Sequence, residues 1–165
     1  MFSTSVVHEA LHLGDQVAVK EISPSASTAE RKEARRLLMN ECRSLSLTRH
    51  KNVVALLGIC EDPPMLVMAR AEKTLRQLLD EDCRRSSPTR LSLLDKLQLI
   101  HGVCQGMRAL HARQLIHLDL KPQNILIAPG GLVPWVADLK LAVHENDARL
   151  AAPRSTSSWS TVRCG

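Results

Sequence analysis

Residues 115–124, "LIHLDLKPQN", place His117, Asp119, Lys121 and Asn124 within eight positions, set between Leu and Ile. A plain Asp/Asn turn between two strands would not account for the Lys and the Pro in their places. A tight loop that aims several different polar side chains at one point is what a reacting group needs if it is to be held and neutralised there. A further carboxylate, Asp138, follows fourteen residues after Asn124, in "VADLKLA" (136–142).

Working outward, residues 5–13 "SVVHEALHL" and 16–22 "QVAVKEI" read as strands about a turn at "GDQ". Ser27 and Glu30 have capping-box spacing and open a helix over about 28–48, with Leu38, Cys42 and Leu45 on one face and Glu41 beside that stripe. "NVVALLGIC" (52–60) and "MLVMA" (65–69) read as two more strands, broken by "EDPP". From residue 72 the pattern turns helical: a short helix in "TLRQLLDEDC", a polar loop "RRSSPTR", then a long helix capped by Ser92 and Asp95 and ending near Ala112. Leu93, Leu97, Ile100, Cys104 and Met107 recur along it at steps of four and three, which predicts its apolar face. Short strands are expected in "LIH", "ILIA" and "LVPWVA", and a mobile loop from "NDARL" onward. A β-rich half with one inserted helix, followed by a helical half, predicts two lobes with a cleft between them.

Composition sets the bounds. With 44% hydrophobic and 24% charged residues the chain can bury a core, and at 2% aromatic with no Tyr that core must be aliphatic. The net charge of +5 is scattered over "RKEARR", "CRR", "RH" and the C-terminal stretch without aromatic interleaving, so it reads as a solvated basic surface and not as a nucleic-acid footprint. The five cysteines are odd in number and widely spaced, with neither disulfide-framework nor zinc spacing, which favours a reducing compartment. No apolar run reaches the length of a membrane span, and "MFSTSVVHEALHLG" has no signal pattern. A cytoplasmic protein is expected.

Taken together these motifs resemble the eukaryotic protein kinase catalytic domain, of serine/threonine type because Lys stands in "LKPQN". The resemblance implies an α+β, two-lobe fold: residues 1–71 as the β-rich N-lobe and hinge, and 72–165 as part of a mainly helical C-lobe. It implies ATP and Mg²⁺ as cofactors, a protein substrate and a regulatory protein partner, with no nucleic acid and no membrane span. Carried over by motif, Lys20 of "VAVK" would grip the α- and β-phosphates and Glu41 would pair with it. Glu30 and Glu33 compete on the same helix, but the register to "RHKNVVALLG" favours Glu41. Asp119 would take or orient the substrate hydroxyl, Lys121 would neutralise the γ-phosphate, and Asn124 and Asp138 would bind metal. Val7, Ala18 and Leu126 would sandwich adenine, with Met68 as gatekeeper and Ala69 to Ala71 as hinge. Leu45, Leu56, His117 and Leu139 fall where the family stacks a regulatory spine.

Four departures qualify the resemblance. "FSTSVV" stands where the glycine-rich phosphate loop should end, Leu118 replaces the Arg of H-R-D, and Lys140 replaces the Gly of D-F-G. Fourth, "VRCG" reaches Gly165 before the G-T-x-x-Y-x-A-P-E element, so the surfaces around the long helix are expected to lose their covering. The competing expectation is a shortened or degenerate kinase-like scaffold acting through protein contacts.

Overall fold

The protein is described by a computed structural model covering residues 5–84 and 90–147. Its first half is a four-stranded antiparallel sheet in the order β1-β2-β4-β3: β1 Ser5–His12, β2 Asp15–Ile22, β3 Leu56–Glu61 and β4 Pro64–Ala69. The β1–β2 turn is made by Leu13 and Gly14, both at positive φ (53° and 92°), and β2 already begins at Asp15. The expected "GDQ" turn therefore lies one residue too far along. Gly14 tolerates that backbone at no steric cost, whereas Leu13 is a side chain in left-handed space.

Helix α1, Thr28–Leu47, crosses between β2 and β3. Ser27 and Glu30 form the full capping box, each side chain receiving the other residue's backbone N–H. Its buried face carries Leu38, Cys42 and Leu45 as the periodicity required, together with Ala34, Ser44 and the carboxylate Glu41. The expected strand "NVVALLGIC" is shorter than its apolar run. Residues 52–55 leave the sheet, and Val53 forms a parallel bridge with Val136 in the second half. Val54 N–H donates to the Val136 carbonyl at 3.0 Å and Val136 N–H to the Asn52 carbonyl at 2.9 Å, so the approach to β3 is spent tying the two halves together. Pro64, expected to break the strands, instead starts β4, opposite Glu61 at the hairpin end.

The second half contains β5 Lys73–Thr74, α2 Leu75–Arg84, α3 Leu93–His111, β6 Leu115–Ile116, β7 Ile125–Ile127, β8 Pro134–Val136 and β9 Val143–His144. β7 lies between β5 and β8, and β6 pairs with β9. The core is continuous across both halves: Leu38, Cys42 and Leu45 of α1 join Leu66 and Met68 of β4, Leu110 of α3, Ile125, Val136 and Leu139. Leu56 packs on this cluster, and Leu45 and Leu139 are almost fully buried. The expected loop "RRSSPTR" falls largely, and the stretch from "NDARL" mostly, outside the described residues.

Helix α3 corrects one expectation. The buried face is Leu99, Gly102, Gly106 and Leu110, whereas Leu93, Leu97 and Ile100 are 74%, 53% and 60% exposed and Cys104 is exposed. Of the expected stripe only Met107 packs on the core. The reason is size. At Gly106 a Cβ would collide with the Asn52 carbonyl oxygen and come within 2.7 Å of Val136 Cγ2, and at Gly102 one would meet Pro134 Cγ at 2.5 Å. Two glycines one turn apart let the helix seat against the 52–54 segment and β8, and the bulkier stripe turns outward.

Gly106→Ala is expected to lose about 1–3 kcal/mol in urea unfolding, because overpacking against backbone outweighs the gain in helix propensity. Gly131→Ala, where a Cβ has nothing within 4 Å, is expected to stay within about 0.5 kcal/mol of the parent. Equal stability of the two variants would contradict the close seating of α3.

Candidate active site

Strand β2 presents Ala18 and Lys20 on one face, two residues apart. The Lys20 ammonium is 7% exposed for the residue as a whole and meets two carboxylates: Glu41 Oε2 at 2.6 Å and Asp138 Oδ1 at 2.7 Å. Glu41 is delivered by α1, whose apolar stripe docks on the core and turns this position inward. The two competing glutamates are spent elsewhere: Glu30 closes the capping box, and Glu33 pairs with Arg36 at 2.6 Å.

Burial alone would drive Lys20 towards its neutral form, yet the charges of Glu41 and Asp138 outweigh it and raise the Lys20 pKa above its ordinary value. For Glu41 burial pushes the carboxyl up, against the opposing pull of Lys20. The 2.6 Å contact, with a second carboxylate on the same ammonium, decides for the ionised pair. Asp138 also suffers desolvation, but Lys20 and Lys140 overcome it and hold its carboxyl below the ordinary range.

Asp138 follows β8 in the left-handed conformation, φ 61° and ψ 56°, and Leu139 behind it is buried. Leu118 has a comparable φ of 63°. Two non-glycine residues held in left-handed space, each costing on the order of 1–2 kcal/mol, therefore lie beside the site. His117 joins their segments. Its Nδ1 accepts from the Asp119 N–H at 3.2 Å and its Nε2 donates to the Ala137 carbonyl at 3.0 Å, so the buried imidazole carries its proton on Nε2. The loop bearing Asp119 is thereby fixed to the residue that precedes Asp138.

A 3₁₀ turn, Pro122–Asn124, closes that loop. Asn124 Nδ2 donates to the Asp119 carbonyl at 2.8 Å and to Asp119 Oδ2 at 2.9 Å, and Lys121 Nζ lies 2.7 Å from the same carboxylate. The Lys121 hydrogen bond, with the Asn124 amide adding to it, holds the Asp119 carboxyl below its ordinary value. A carboxylate so held is a weak base but a well-placed acceptor, better suited to orienting a hydroxyl than to stripping its proton at the outset.

A cavity of about 500 Å³ lies between the sheet and the second half. Lys20, Glu41, Asn124 and Asp138 line it together with Val7, Ala18, Met68, Ala69, Ala71 and Leu126. Asp119 and Lys121 do not line it; Asp119 is tied to it through Asn124, and Lys121 through Asp119. All the candidate site residues singled out by motif except Asp119 and Lys121 thus line one cavity, and those two are bonded to it at second hand.

With that geometry in view, comparison with known proteins is decisive. The profile of the protein tyrosine and serine/threonine kinase family matches residues 3–160. The chain belongs to the protein kinase family. Over 78% of its length this kinase-family chain is 35% identical to the LEAF RUST 10 disease-resistance locus receptor-like protein kinase-like 2.2 of Arabidopsis thaliana, spanning 19% of that protein. It is 30% identical to the serine/threonine-protein kinase SKM1 of Saccharomyces cerevisiae over 89% of the chain and 23% of the relative. Identity is likewise 30% to the human serine/threonine-protein kinase A-Raf, over 88% of the chain and 23% of that protein. The chain spans between 9% and 28% of the length of eight curated relatives that it matches.

Three features of this kinase-family site escape sequence reasoning. Asn40 reaches from α1 to the turn after Asp138, donating to the Lys140 carbonyl at 2.9 Å and the Ala142 carbonyl at 2.8 Å. Arg70, directly after β4, pairs with Glu9 of β1 at 2.8 Å, and both line the cavity. Asn52 holds the Pro134 carbonyl at 2.9 Å inside the core. None has a spacing signal, since each partner is remote in sequence.

Lys20→Met, which strands Glu41 as a buried charge, is expected to lose about 3–5 kcal/mol in chemical unfolding, and Lys20→Met with Glu41→Leu to recover most of that. Equal losses in the single and double variants would show that the pair carries no such coupling.

Proposed function

We propose that the chain binds ATP in this cleft and transfers its γ-phosphoryl group to a serine or threonine hydroxyl of a protein substrate. The observation that carries the reading is the convergence of Lys20, Glu41, Asp138 and Asn124 on one cavity, beside Asp119. In this reading Ala69 to Ala71 form a hinge between an N-lobe of residues 1–71 and a C-lobe beginning at 72. Val7, Ala18 and Leu126 sandwich the adenine, and Met68 limits the depth of the pocket. Lys20, already paired by Glu41, presents its ammonium to the α- and β-phosphates. Asp119 orients the attacking hydroxyl while Lys121, on the same carboxylate, faces the γ-phosphoryl group.

The family generally uses Mg²⁺. Asp138 and the Asn124 amide are the hard oxygen donors on the cavity wall that would receive it, in competition with the two ammonium groups already on Asp138. Bound there, Mg²⁺ would offset charge on the phosphate oxygens. Among the described residues no group of three or more His, Cys, Asp or Glu side chains could hold a metal ion by itself, so the phosphates and water would complete such a site.

No helix among the described residues is long and apolar enough to cross a membrane, and Cys42, Cys60, Cys83 and Cys104 are free thiols. Both support a cytoplasmic location. Leu118, 62% exposed in place of the usual Arg, offers no cation to a phosphorylated activation segment, which points to a regulatory protein partner in that role.

One observation favours the second reading, a kinase-like module without catalysis: both Asp138 oxygens already hold ammonium groups. Transfer of labelled γ-phosphate from ATP to a generic protein substrate separates the two. The expected result is transfer that falls at least about 100-fold in Asp119→Asn while nucleotide binding is kept. Binding without transfer in the parent chain would favour the module, and transfer equal in parent and Asp119→Asn would remove Asp119 from the reaction.

A further inference from the structure

The residue after Leu139 is a lysine whose ammonium lies 2.8 Å from Asp138 Oδ2, while Lys20 takes Oδ1 at 2.7 Å. Each oxygen of the carboxylate that would receive a divalent cation is therefore already in contact with an ammonium group. Lys140 is not an incidental surface residue. Its backbone carbonyl is held by Asn40, the residue preceding Glu41 on α1, so the helix that supplies the partner of Lys20 also fixes where Lys140 begins. Its side chain, 32% exposed, lines the same cavity as Lys20, Glu41 and Asp138. Those two lysines and two acids balance before any ligand arrives. Were position 140 uncharged, the cluster of Lys20, Glu41 and Asp138 would be net negative where a polyphosphate is to approach it.

We propose that Lys140 is a built-in cation that takes the place of a divalent metal on Asp138, so that the cleft binds the polyphosphate of a nucleotide in the absence of divalent cations. The proposal rests on reading the cleft as a nucleotide site. An ammonium has three donors; one remains on Asp138 Oδ2 and the others face the phosphate oxygens, next to the ammonium of Lys20. A divalent cation gains little there, because it must either displace Lys140 from Oδ2 or approach a carboxylate whose charge is already compensated.

Equilibrium binding of ATP to the full chain, in excess EDTA and in millimolar Mg²⁺, tests this in the parent and in Lys140→Gly, Lys140→Met and Lys140→Arg, with thermal melting to establish that each is folded. The parent is expected to bind with affinities equal to within about twofold in the two conditions. Lys140→Gly and Lys140→Met are expected to lose about tenfold or more in EDTA and to regain it with Mg²⁺, while Lys140→Arg keeps metal-free binding. Parent binding that occurs only with Mg²⁺ would overturn the role of Lys140 and leave the nucleotide reading standing. Metal-free binding undiminished in both Lys140→Gly and Lys140→Met would do the same. No ATP binding by the parent in either condition would overturn both.

Discussion

An ammonium withdrawn almost wholly from water persists only where negative charge meets it, and Lys20 meets Glu41 and Asp138 within 2.7 Å. These three groups come from a strand of the first half, the helix inserted in it, and a turn of the second half. Each carries part of the architecture with it. Glu41 can reach Lys20 only if α1 lays Leu38, Cys42 and Leu45 on the core, and Asp138 only if β8 is seated against the 52–54 segment. The ion cluster is thus a poor source of net stability but a demanding test of register, since a shift of any one element would leave a buried charge unmatched.

The same dependence ties chemistry to packing in the second half. His117, buried and hydrogen-bonded at both ring nitrogens, couples the loop of Asp119 to the backbone before Asp138. Asn40 couples the turn after Asp138 to α1. Asp138 is therefore flanked on both sides by side-chain-to-backbone ties, which is how a left-handed, non-glycine residue is kept in place. Lys140 belongs to this frame and changes its electrostatics: at the position that the resemblance gives to the Gly of D-F-G, it adds a cation to the cavity wall.

Much of this was legible in the sequence, for physical reasons that are local. The capping boxes of Ser27–Glu30 and Ser92–Asp95 are reciprocal bonds three residues apart, so letters alone carry them. The stripe of α1 was legible because large apolar residues and burial coincide there. On α3 they part company, since periodicity reports which residues share a face and says nothing of what covers it. Glycine, which scores as no stripe at all, marks the buried side there, and Leu93, Leu97 and Ile100 face outward. Asn40 and Asn52 were illegible for a different reason: their partners lie 100 and 82 residues away, and only the closed fold joins them. The "LIHLDLKPQN" loop sits at the other extreme, because Asp119, Lys121 and Asn124 bond to one another and the spacing is the structure.

The convergence of Lys20, Glu41 and Asp138 on a phosphate-holding cleft is tested most directly by an ATP analogue that acylates lysine from its terminal phosphate, followed by mapping of the modified peptides. Acylation concentrated on Lys20 and the adjoining cleft lysine Lys140, and suppressed by excess ATP, is the expected result. Acylation spread over exposed lysines such as Lys32 and Lys51, with Lys20 untouched and no protection by ATP, would contradict it.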